Sequence, residues 1–297
     1  MNKKALLLSL LTALISGISI FANGIFVTKT NPLVFTVLRN VLVVLLLTVG
    51  LTLFGHAGKL KELRRRDWGK LIVIGAIGGG IPFALFFTGL AQIGAVNGNI
   101  IQKSLFLWVA LLAVPILKEK LNAIQLGGYL ALFVGMFAFS GAVFTLTKVG
   151  TWLILGATIL WAIEHVFAKV TLADVQPVVV AWGRMFFGLP FLFLAVVMTG
   201  TAGALISPQA SMITPLVVSS VFLTAYVLVW YTAISVAPVT MVSSVLVLAP
   251  VVTALLSMGI LGKPFQSLQM ESYIFISLGV ALVIAGEVVS KRFRKAV

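Results

Sequence analysis

Runs of about 20 apolar residues, separated by short polar connections, recur along this whole chain and constrain it more than any motif does. Crossing about 30 Å of hydrocarbon as a helix takes a run of that length. In lipid the backbone must also satisfy its own polar groups, as helices or as a closed barrel. The runs are continuous rather than alternating, which predicts helices. They fall at 5–27, 33–54, 70–92, 95–117, 122–144, 150–169, 177–199, 213–235, 238–261 and 270–290. Of the 297 residues 61% are hydrophobic, against roughly 45–50% in soluble domains. The expected fold is therefore all-α and integral to the membrane, with ten transmembrane helices in a lipid bilayer.

The chain has 21 Lys+Arg against 7 Asp+Glu, a formal net charge of +14. In a soluble protein that surplus would suggest nucleic acid, but no aromatic platform accompanies it, so no nucleic-acid partner is expected. Its placement fits a membrane instead. Lys59, Lys61, Arg64, Arg65, Arg66 and Lys70 fill one interhelical loop, and Lys291, Arg292, Arg294 and Lys295 close the chain. With Lys3, Lys4, Lys118, Lys120 and Lys169 they put 15 of the 21 basic residues on one side, against Lys29, Lys148 and Lys263 on the other. The positive-inside rule then predicts an inner-membrane protein with both termini cytoplasmic. Met1 to Asn23 has the layout of a signal peptide, but its apolar run is long and its cleavage pattern poor, so it reads as a retained first helix. The absence of cysteine excludes disulfides and thiolate chemistry. Two histidines and scattered acids supply no metal set, and no cofactor is expected.

One hairpin occurs twice. Asn31-Pro32 is followed by LVFTVLR ending at Arg39, and Gln176-Pro177 by VVVAWGR ending at Arg184, with the same proline-to-arginine spacing. The chain reads as two five-helix units, 1–145 and 146–297. An odd number of helices per unit turns the second upside down relative to the first. That is the inverted repeat of secondary transporters, whose sites lie near the midplane between the repeats. The connections leave no room for a soluble or nucleotide-binding domain. Gly78-Gly79-Gly80 is too lysine-poor for a phosphate loop and lies in a membrane run, where Gly75 and Gly79 have the GxxxG spacing for close helix approach. Pro82 is placed to kink that helix, and Pro115, Pro190, Pro215 and Pro250 are open to the same role.

In order and spacing these features resemble the drug/metabolite transporter superfamily, in its ten-helix EamA type, over nearly the whole chain. The residues that carry the resemblance are Gly17 in the first helix, Trp161-Ala162 in the sixth, proline-to-arginine in the second and seventh, and Leu248-Ala249-Pro250-Val251 in the ninth. The helix-to-turn motifs Ile116-Leu117-Lys118-Glu119-Lys120-Leu121 and Ile260-Leu261-Gly262-Lys263-Pro264 are also similar. Three positions depart: Ser16 stands where the family often has Trp, Lys263 where the second copy often has Glu, and Phe106 where a proline matching Pro250 is expected. The resemblance implies small-molecule transport, commonly export of amino acids or other metabolites, by alternating access. It also implies a cavity lined mainly by helices 1 to 4 and 6 to 9, with 5 and 10 peripheral.

Charges inside a membrane run are functional-site candidates by default. At 1.5 Å per residue, Lys103 lies roughly 12 Å and Arg39 roughly 9 Å from the outer face, and Arg184 roughly 10 Å from the inner face near the level of Glu164. Two roles are open to Glu164 and Arg184: a structural salt bridge across one hairpin, or function. Lys103 has no carboxylate at its own level, so it calls for an anionic substrate group or a reach toward Glu164; its alternative is to snorkel to the interface. Asn97, Asn99 and Gln102 lie near Lys103, with Ser19 and Asn23 in the first helix. Tyr226 and Trp230, spaced i,i+4, and the adjoining Tyr231 could help a carboxylate hold an ammonium, although Trp152, Trp182 and Trp230 also suit an interfacial belt. His165 is a core residue or a proton relay. Glu287 and Lys291 read as a helix-end pair.

The expected function is secondary-active transport, in the export direction, of small zwitterionic or charged metabolites such as amino acids. Lys103 would take the carboxylate and Glu164 with the aromatics the ammonium. A proton is the candidate coupling ion, lost from a desolvated Lys103 or gained by Glu164; Glu164, His165, Arg39 and Arg184 are candidates for proton coupling or for structural charge. An organic-cation transporter is the alternative, which would need Glu164 and the aromatics but not Lys103. A membrane enzyme or lipid flippase ranks below both, because no acid–base or metal constellation converges at a membrane face.

Overall fold

The computed structural model describes residues 3–26, 31–137, 146–206, 210–262, 264 and 267–296, the side chains of residues 26, 95, 96, 210 and 291–296 excepted. Ten apolar helical segments make the body. They are α1 Lys3–Phe26, α2 Pro32–Leu53, α3 Arg65–Gly94, α4 Asn97–Ile116, α5 Ala123–Phe137, α6 Val149–Thr171, α7 Pro177–Met198, α8 Ile213–Val236, α9 Val239–Leu261 and α10 Ser267–Ala296. Among the described residues nine are long and apolar enough to cross a membrane. The remaining one, α5, covers 15 described residues, and the rest of its expected span, 138–144, lies outside them. Lys29, Lys263 and the side chain of Lys291, to which topology and a helix-end pair were assigned, also lie outside the described residues.

The repeated prolines set two of these helices. Pro32 opens α2, where the Asn31 side chain accepts hydrogen bonds from the amides of Leu33 (2.9 Å) and Val34 (3.3 Å). Its oxygen satisfies donors that a helix start leaves free, and proline at the first position lacks the donor it would otherwise waste. Pro177 opens α7 in the same register, but Gln176 makes no side-chain cap.

Three helices that the sequence reads as continuous are interrupted. In α3, Gly75–Gly80 winds as a π-helix before Ile81 resumes the α-helix. Helix α4 breaks at Ser104, between the segment ending at Lys103 and Leu105–Ile116. Helix α9 breaks at Val247 and Leu248, between Val239–Leu246 and Ala249–Leu261. The α9 break precedes Pro250, whose ring excludes a hydrogen bond to the preceding turn. The first copy breaks at the corresponding place without a proline, so the divergence at Phe106 did not remove the discontinuity.

Packing follows an inverted symmetry. Helix α2 lies against α7 and α5 against α10, each helix on its counterpart in the other copy. The other extensive pairings come in mates: α1 on α8 with α6 on α3, α1 on α9 with α6 on α4, and α2 on α8 with α7 on α3. The copies thus complete each other rather than folding as two separate bundles. Because lipid tails are as apolar as leucine, such contacts depend on close packing. The tightest crossing joins Gly79 and Gly188. A Cβ on Gly188 would lie 2.6 Å from the Gly79 carbonyl carbon, and one on Gly79 would collide with the Arg184 carbonyl.

Two faces are distinguished by their connections. One, the near face, carries the start of α1 and the α2–α3, α4–α5, α6–α7 and α8–α9 links; the far face carries the others. Substituting Gly188→Ala should lower stability by about 1–3 kcal/mol, the usual range for overpacking. Gly58→Ala, whose Cβ meets open space, should leave the thermal unfolding curve of detergent-solubilised protein unchanged. Equal curves for both variants would contradict the close crossing.

Candidate functional site

Between the copies lies a cavity of about 780 Å³. Its wall runs from far-face residues Ser257, Pro264 and Gln269 down to His165 and Arg184, and includes no residue of the near-face links. Both helix breaks border it, through Lys103 and Leu105 in α4 and Val247 and Ala249 in α9. Discontinuous helices at a repeat interface are where transporters build their sites, since loosened backbone is tolerated where it lines a cavity. All helices implied by the family resemblance contribute. So does α10, through Gln269 and Tyr273, which corrects its expected peripheral place.

The cavity sorts the sequence candidates. Lys103, Gln102, Arg39, Arg184, His165 and Tyr226 line it, as do Asn99 and Ser19. Glu164, Tyr231, Trp230, Asn23 and Asn97 do not. Asn97 bonds back to the Ile93 carbonyl at 3.3 Å. Trp230, 1% exposed, is no interfacial belt residue; it lies between Tyr226 (ring centroids 6.2 Å, stacked) and His165 (4.4 Å). Trp182 is also buried, donating to Thr48 Oγ1 at 3.0 Å, whereas Trp152 is exposed.

Beneath the cavity floor is a buried polar cluster. Tyr231 Oη donates to Glu164 Oε1 at 2.6 Å, and His165 Nε2 stands 3.5 Å from Oε2. Glu164 is wholly buried, and Oε2 and His165 Nδ1 have no hydrogen-bond partner among the described residues. Glu164 and Arg184 form no direct ion pair. The guanidinium instead donates from Nη2 to the Gly78 carbonyl at 3.1 Å, and Trp161 Nε1 donates to the same oxygen at 3.0 Å. That carbonyl is available because its α-helical donor would be the amide of Pro82, which has none. Gly78 also leaves the space the cluster occupies: a Cβ there would lie 2.5 Å from Glu164 Cγ and 3.1 Å from Arg184 Nε. The sequence placed Gly78 only in a close-packing glycine cluster, although a proline four residues downstream signals a free carbonyl.

The near face is closed by polar contacts, two between the copies and one within the second. Glu119, after α4, accepts from the amides of Val239 (2.8 Å) and Thr240 (3.1 Å) and from Thr240 Oγ1 (2.5 Å), capping α9. A carboxylate at a helix start meets free amides and the positive end of the dipole. Lys169 Nζ donates to the carbonyls of Ile234 and Ala237 at the end of α8 (2.5 and 2.9 Å). Lys70 pairs with Asp174 at 2.7 Å, joining α3 to the α6–α7 link. That hydrogen bond and charge hold the Asp174 carboxyl below its ordinary value of 3.8. A lowered carboxylate stabilises above its unfolded pKa and loses that contribution as pH falls through the folded one. This contact is therefore intact at neutral pH and weakens only in strong acid, so it cannot set pH dependence near pH 7.

The profile of the EamA-like transporter family matches residues 3–141 and 148–285. Fold, central cavity and profile thus define a multi-pass membrane transporter of the drug/metabolite type. The chain belongs to the EamA-like transporter family. No curated protein matches the sequence. A solved structure titled only "Crystal structure of protein" shares the fold, with a TM-score of 0.79 at 16% identity over 95% of this chain and 98% of that one.

Tyr231→Phe, which leaves Glu164 Oε1 without its donor, should destabilise by about 1–2 kcal/mol. Glu119→Gln should cost about 1 kcal/mol, as a weakened helix cap does. Thermal unfolding in detergent reads both; an unshifted Tyr231→Phe curve would deny the carboxylate–phenol bond any structural weight.

Proposed function

We propose that the protein is a secondary-active exporter of small carboxylate-bearing metabolites, amino acids included, working by alternating access. The observation that carries this reading is Lys103 on the cavity wall at the α4 break, with no acidic residue among the described residues of the lining. Intramembrane charges normally pair, and a substrate carboxylate supplies the missing partner. Positive residues at the near face support placing it in the cytoplasm of a cell that keeps the protein in its inner membrane. The cavity described here then faces outward, with Glu119, Lys169 and Asp174 holding the cytoplasmic side shut.

An organic cation would meet the Tyr226 ring, but also Arg39, Lys103 and Arg184. The carboxylate that could receive an ammonium lies behind His165 and is engaged by Tyr231. For a zwitterion the ammonium therefore faces hydroxyl and amide groups such as Ser19 and Gln102 rather than Glu164. Glu164 serves better as the proton site. His165 lies between it and the cavity, so a proton exchanged with the cavity passes the imidazole, and a change of charge at Glu164 alters the field on Arg184.

Reconstituted in liposomes, Lys103→Met should fold normally and lose carboxylate flux at least tenfold, the effect of removing about 1.4 kcal/mol of charge-assisted binding. Glu164→Gln should keep binding and abolish proton-driven accumulation. Full flux from Lys103→Met would overturn the carboxylate assignment, and unchanged proton-driven accumulation in Glu164→Gln would remove the coupling role.

A further inference from the structure

We propose that the substrate is a dianion, with one anionic group at Lys103 and the second between Arg39 and Arg184. This rests on the transport reading above and narrows its substrate. The two arginines are the repeated residues of the Pro-to-Arg hairpins, and the inverted symmetry that packs α2 on α7 brings both to the cavity wall. Both guanidinium-bearing residues line the same cavity as Lys103. Among the described residues neither forms an ion pair: Arg39 Nε reaches the neighbouring Asn40 Oδ1, at 3.4 Å, and Arg184 Nη2 the Gly78 carbonyl. Arg184 Nε is buried without a partner.

Charge counting gives the number of anionic groups. Among the described residues, Arg39, Lys103 and Arg184 are three cations on one cavity and no acid lines it. The nearest compensation is Glu164, buried behind the wall in the field of Arg184. Three cations against one carboxylate leave two positive charges. At low dielectric such a surplus is costly, and a mobile ligand is the remaining source of countercharge. A planar guanidinium suits a carboxylate or phosphate equally, since both offer two oxygens to its fork. A dicarboxylate and a phosphomonoester therefore share the chemistry. A monocarboxylate would leave one of the two positive charges uncompensated, and a zwitterion, with no net charge, would leave both.

Titration calorimetry on the purified full-length protein in a non-ionic detergent separates these cases, with succinate, glycerol phosphate, butyrate, alanine, sulfate and butylamine as probes. Succinate, glycerol phosphate or both should bind at least about tenfold more tightly than butyrate, as an added charge-assisted contact requires. Arg39→Gln should bring the dianion down to the affinity of butyrate while leaving butyrate little changed. Lys103→Met should weaken both. Which of the two dianions binds tells a dicarboxylate carrier from a phosphate-ester carrier. Because Arg184 also holds the Gly78 carbonyl, its variant is Arg184→Lys, used only if its unfolding curve matches wild type; Arg39→Gln tests the site without it. Butyrate or alanine binding as tightly as the dianions would overturn the proposal but leave carboxylate transport standing. Sulfate matching the organic dianions, an adventitious ion only, would overturn it too. Butylamine binding with no anion bound would sink both the proposal and the transport reading beneath it.

Discussion

The carbonyl of Gly78 is the contact on which the floor of the cavity depends. Pro82 denies it an α-helical donor, and two side chains from the other copy, Trp161 and Arg184, take its place. An arginine in a membrane interior needs a fixed partner, and an unpaired carbonyl needs donors. Each meets the requirement of the other. The π-helical turn around Gly78 lets α3 present that oxygen sideways, and the missing Cβ leaves room for Glu164 beside it. A local defect in one helix thereby fixes the position of a charge in another.

Around this contact the chain closes itself by symmetry. Nearly every extensive helix pairing has an inverted mate, so neither copy buries its own surface without the other. The glycine crossing of α3 and α7 shows how the approach is achieved: at Gly79 and Gly188 backbone meets backbone. The near-face contacts of Glu119, Lys169 and Lys70 are different in kind. They are polar and lie near helix ends.

Some of the site was legible in the chain. Lys103, Arg39 and Arg184 stood out because a charge in an apolar run is costly, and all three reach the cavity. The aromatic candidates divided: Tyr226 lines the cavity while Trp230 and Tyr231 support His165 and Glu164 from behind. A helical period gives the face a residue lies on, but not which neighbour covers that face. The same gap explains why Glu164 and Arg184, placed at one depth by counting residues, do not pair directly. Depth is additive along a helix, whereas the side-chain partner depends on what the third helix, α3, inserts between them.

The sequence by itself determined the membrane class, the helix count, the doubled unit and the charges that need an explanation. These follow from hydrophobic length, proline spacing and the cost of burying charge, which are properties of short stretches. The tertiary structure decided what only the assembled copies define: the breaks of α4 and α9 around one cavity, the capping of α9 by Glu119, and the burial of Glu164 behind His165. Each joins residues a hundred or more apart in one copy and the other, or depends on which surface a neighbouring helix covers. Such contacts are set by packing across the two copies, which no local pattern encodes.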